Sequence, residues 1–94
     1  MDALKKFELM EKITRELEDL KNSQTAVLNK ISKIEVDNMD LGNKKLEDTL
    51  PDIHQNAADS VDHIQAILES FADVKDDFEN KNNLDALRDQ ALAK

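Results

Sequence analysis

Residues 10–41 read MEKITRELEDLKNSQTAVLNKISKIEVDNMDL, and apolar side chains recur along this stretch in alternating steps of three and four. Written as a heptad, the a positions are Met10, Leu17, Gln24, Ile31 and Asn38. The d positions are Ile13, Leu20, Val27, Ile34 and Leu41. Eight of these ten are apolar, the pattern of a long helix that seams against another helix. Leu4, Phe7, Leu9 and Leu28 lie beside the a/d seam and widen the apolar stripe, which suits burial among more than two helices. Gln24 and Asn38 are polar a positions that set register or stay exposed.

Upstream, Asp2 is placed to cap this helix, which is expected over about 3–38. Glu8 with Lys12 and Glu11 with Arg15 stand in the favourable acid-before-base order on its outer face. Downstream, the sole glycine of the chain, Gly42, sits where a helix end needs a left-handed residue, so a reversal is expected over about 39–43. A second helix is expected over about 44–79, with a kink or restart near 49–51, where Thr49 stands as a cap before Pro51. Its apolar rows are Leu50, Ala57, Ile64, Phe71 and Phe78, and Leu46, Ile53, Ser60, Ile67 and Val74. Val61 and Leu68 widen them on one side. Lys81 then falls where an apolar residue is due, and Leu84, Leu87 and Ala91 or Leu92 resume in shifted phase, giving a short C-terminal helix or tail over about 83–93.

The pattern predicts an all-α, antiparallel helical hairpin forming a single domain over residues 1–94. Composition agrees: 36% of residues are charged, 3% are aromatic, and one Gly and one Pro leave little material for tight turns. The packing residues expected are Leu17, Leu20, Ile31, Ile34, Ile53, Ile64, Ile67 and Phe71. So thin a core calls for a partner on energetic grounds.

Charge narrows the partner. The net charge is −8, and residues 49–94 hold 4 basic against 10 acidic side chains. Nucleic acid and anionic membrane surfaces demand clustered Lys and Arg, so neither is expected. No apolar run approaches the roughly 20 residues of a membrane span. The start Met1-Asp2-Ala3-Leu4-Lys5-Lys6 does not read as a signal peptide. A cytoplasmic protein is expected, or one exported by a route without a cleaved leader.

Residues for chemistry are scarce. His54 and His63 are nine apart and do not share a helix face as a metal pair does. The clustered carboxylates Asp73, Asp76 and Asp77 lack both the inward Glu-x-x-His of a bundle metal site and the glycine of a calcium loop. No Lys or His is placed to activate a Ser or Thr, and no glycine-rich phosphate loop occurs. The expectation is no enzyme, no cofactor and no metal site.

What remains is binding. The partner-contact residues expected are Leu9, Leu28, Val61, Leu68, Phe71 and Phe78, because a two-helix seam of a and d rows leaves the flanks half exposed. Phe71 and Phe78, one heptad apart, are core residues or a partner anchor. On this reading Leu28→Asp or Leu68→Asp abolishes partner binding and spares the hairpin. The partner is another helical protein, with a hetero-complex favoured over a homodimer.

Two antiparallel helices, a glycine reversal at Asp40-Leu41-Gly42, an acidic balance and about a hundred residues resemble the small helical-hairpin proteins of type VII secretion. The chain lacks that family's tryptophan at the reversal, as do members that travel with larger helical toxins. Some of those carry Phe-x-x-x-Asp near the C-terminus. Here Phe71-Ala72-Asp73-Val74-Lys75 and Phe78-Glu79-Asn80-Lys81-Asn82 do not end in Asp. The resemblance implies a helical adaptor, targeting factor or chaperone that pairs side by side with a toxin's N-terminal helical domain. The competing expectations are a structural coiled-coil subunit of an intracellular scaffold or tether, and an acidic inhibitor of a basic cleft.

Overall fold

The computed structural model describes residues 2–84, which form two long helices, α1 (Ala3–Leu41) and α2 (Lys44–Asn82). They are antiparallel and joined only by Gly42 and Asn43, so the all-α hairpin expected from the heptads is the observed fold. The expected short helix or tail over about 83–93 falls almost wholly outside the described residues.

Each helix end has a local cause. The Asp2 carboxylate accepts the Lys5 N–H at 2.8 Å, capping α1 as anticipated. Gly42 adopts φ +72° and its N–H donates to the Asn38 carbonyl at 2.7 Å, the left-handed cap that closes α1 at Leu41, three residues beyond the expected end near 38. Asn43 follows directly and caps α2, its side-chain oxygen accepting the Leu46 N–H at 3.0 Å. A Cβ added at Gly42 would meet nothing within 4 Å, so only backbone conformation restricts this site. Gly42→Ala is therefore expected to cost about 1 kcal/mol, the left-handed penalty alone, measured as a lower urea midpoint with an unchanged slope.

The restart anticipated at Thr49 does not occur, because α2 runs unbroken through Pro51. Asn43 has already started the helix two turns earlier. The Thr49 hydroxyl, free of capping duty, donates back to the Lys45 carbonyl instead. At the far end Asn83 is left-handed, at φ 49°, and terminates α2 after Asn82. The run Asn80-Lys81-Asn82-Asn83 thus belongs to one helix and its end, which is why the apolar period fails there.

Packing divides the described residues into two units: Asp19–Ala66 around the reversal, and residues 2–18 with 67–84. In the second of these, Phe7 and Leu84 are fully buried and the Lys75 ammonium lies 5.6 Å from the centre of the Phe7 ring. Leu17 and Phe71 are half-buried there, whereas Ile67 is exposed. In Asp19–Ala66 the core is Ile31, Leu50 and Ala57, with Leu28 packed against it and Ile64 buried further along α2.

This core corrects the expected seam. Ile31 and Leu50 are each 7% exposed, but Ile34 is 39% and Ile53 47% exposed, and Leu20 is exposed as well. The rows facing inward are a and the row four residues beyond it, not a and d. A helix with three apolar or mixed rows needs two neighbours to cover them all. A hairpin supplies each helix with one, so one row stays open, and it is the d row.

Candidate functional site

The open row defines a face. Within Asp19–Ala66, the exposed residues of α1 stand three positions after the buried row, as Ile34 follows Ile31. Those of α2 do the same, as Ile53 follows Leu50. The half-buried polar residues stand four after it: Glu35 after Ile31, and His54 after Leu50. Two right-handed helices running in opposite directions with this shared phase carry both exposed rows on one side of the pair, and both polar rows on the other. Leu20, Val27, Ile34 and Leu41 from α1 therefore share a side with Leu46 and Ile53 from α2.

The polar side closes on itself. His54 Nδ1 and Glu35 Oε1 lie 2.6 Å apart across the helices, and the Lys21 ammonium donates to the Gln65 side-chain oxygen. Asn38, buried at the end of α1, uses both ends of its carboxamide: Nδ2 donates to the Asn43 carbonyl at 3.1 Å, and Oδ1 accepts the Asn43 N–H at 3.0 Å. Of the two polar a positions, Asn38 is thus a fixed part of the reversal. An open cleft of about 740 Å³ lies beside it, with Val36, Met39, Leu46, Leu50 and Pro51 among its lining and the Glu35–His54 pair in its wall, so Leu46, at the start of α2, borders both the cleft and the open row.

The seam is apolar at its centre and polar along one edge. Ile31, Leu50 and Ala57 lie between the helices, half-buried Glu35, His54, Lys21 and Gln65 line one side, and the Val, Leu and Ile of the d rows stay exposed on the other. Covering one half-exposed Ile, on the order of 80 Å² of apolar surface, gains about 2 kcal/mol. Six such side chains on one side form a patch of the kind that marks interaction surfaces.

The sequence-expected contact residues fall differently. Leu9 is exposed. Leu28 packs on the core, and Val61, Leu68, Phe71 and Phe78 are half-buried. Of the open-face residues, Leu20, Ile34 and Ile53 are expected from the heptad to pack in the core, and Val27 is a d position of the same seam. The signal that separates the rows is the polarity of Lys21, Glu35 and His54, which pair with groups on the opposite helix.

For chemistry, no group of three His, Cys, Asp or Glu among the described residues is placed to hold a metal ion. No helix among them is long and apolar enough to cross a membrane. No family model, curated protein or solved structure matches the chain.

Proposed function

We propose that the chain is a non-catalytic helical adaptor that binds another helical protein side by side through the open apolar rows of its hairpin. One observation supports this reading above the others: the most regular apolar row of α1 is outside the hairpin, and α2 adds a second exposed row on the same side. Helices docked along these rows would supply the missing neighbour, extending two helices to a bundle.

The form of this reading that the type VII resemblance implies is a targeting partner for the helical domain of a toxin. The tight glycine reversal between antiparallel helices supports it. The structural-subunit reading draws on the same rows and differs in its partner, an intracellular scaffold protein.

In-cell photocross-linking tests the reading. A photoreactive residue replacing Val27, on the open face, is expected to capture a helical protein, either a different one or a second copy of this chain. The same residue replacing Val36, exposed beside the cleft, is expected to capture none. Equal capture from both positions, or none from Val27, would defeat the proposal.

A further inference from the structure

We infer that the occupant of the open face of Asp19–Ala66 is a second copy of this chain, packed face to face about a two-fold axis; this rests on reading that face as a helix-docking surface.

Three properties of the face carry the inference. The first is its form. It consists of two antiparallel apolar rows side by side, Leu20, Val27, Ile34 and Leu41 against Leu46 and Ile53. A surface built that way offers an identical surface the same two rows, as an isologous interface requires.

The second is charge. The chain carries −8, yet the open row of α2 continues with Ser60, and the row flanking it outward holds Thr49, Asn56 and His63. The corresponding flank of α1 holds Ser23, Lys30 and Asp37, one cation and one anion. Flanking charges of one sign are how paired helices select an unlike partner. A flank with one of each is complementary to its own copy. The excess carboxylates of this part of the chain, Asp48, Asp52, Asp59 and Asp62, stand on outward positions of α2.

The third is area. The six apolar side chains leave on the order of 500 Å² open on each copy, so pairing buries roughly 1,000 Å², the lower bound of a specific interface. An interface of this size fits a weak, reversible dimer.

Sedimentation equilibrium of the full chain over about 5 to 500 µM, near 0.05 M and near 0.5 M NaCl, decides the matter. The expected result is a monomer–dimer equilibrium that tightens with salt, because the apolar contact persists while repulsion between two acidic copies is screened. Val27→Asp and Ile53→Asp are each expected to weaken it by about 100-fold or more with wild-type helicity retained, and Val36→Asp to leave it unchanged. Val27→Ser and Ile53→Ser repeat the test without a new charge, should either Asp variant lose helicity.

A wild-type chain that is monomeric throughout would overturn the inference. So would a dimer that dissociates with added salt, or one that Val36→Asp breaks and both open-face variants spare. The cross-linking outcome separates the two levels of argument. A monomeric chain that still captures a different protein from Val27 sinks the second copy and leaves the adaptor standing. No capture at all sinks both.

Discussion

Leu28→Asp is expected to unfold the hairpin at micromolar concentration, with most of the far-ultraviolet helical signal lost, while Ile34→Asp, six residues on, keeps it. The two positions look interchangeable in the sequence, since both are apolar and both belong to recurring rows of one helix. In the structure Leu28 packs against Ile31, Leu50 and Ala57, and Ile34 faces outward. A carboxylate at Leu28 loses the contacts of a large aliphatic side chain, about 2–5 kcal/mol, and adds the cost of a polar group with no hydrogen-bond partner. A core this thin supplies roughly 3–5 kcal/mol in all, so the substitution exceeds the stability available. At Ile34 the carboxylate reaches water, and the loss is smaller: about 0.5 kcal/mol of helix propensity and about 1 kcal/mol for the part of the side chain already covered. Thermal melts of both variants, each at low concentration, check the pair. The opposite ranking would mean that a and d form the seam after all. The substitution expected from the heptad alone to spare the hairpin is thus the one that the observed packing of Leu28 predicts to destroy it.

That reversal marks how far the sequence reads. The helices, the Asp2 cap and the turn at Gly42 were legible because each depends on local chemistry: period, a capping carboxylate, a residue tolerant of positive φ. The choice of inward rows was not, because it depends on the rotation of each helix about its axis. Three rows of α1 carry apolar residues, and the heptad assigns the cleanest of them to the seam. The structure instead buries the mixed row of Leu28 and Glu35, since Glu35 gains His54 and Lys21 gains Gln65 across the pair. Pro51 misled for a related reason. A proline after a Thr reads as a helix start, but Asn43 had already supplied one. The same rotation decides which packing expectations hold: Ile31 and Ile64 are buried, whereas Ile34 and Ile53 are exposed.

Asn38→Ala is expected to cost about 2–3 kcal/mol. Asn38 is the residue through which the end of α1 and the start of α2 hold each other. Its side chain both donates to and accepts from the backbone of Asn43, two residues' worth of reversal satisfied by one carboxamide. Each hydrogen bond contributes about 1 kcal/mol, and the buried site leaves a small void when the side chain is cut back. Asn38→Asp separates the two bonds. It keeps an acceptor for the Asn43 N–H but turns a carboxylate toward the Asn43 carbonyl and places negative charge in the last turn of α1, where the helix dipole is already unfavourable to it. The Asp variant is therefore expected to be no more stable than the Ala variant, although it retains more atoms. Urea midpoints rank the three proteins, and amide exchange at Asn43 reports the bond itself. Exchange should accelerate in the Ala variant by a larger factor than global stability predicts. If Ala is tolerated to within about 0.5 kcal/mol, the left-handed Gly42 alone sets the reversal. The rotation that opens the d rows would then have to come from the polar pairs along the seam, Glu35 with His54 and Lys21 with Gln65.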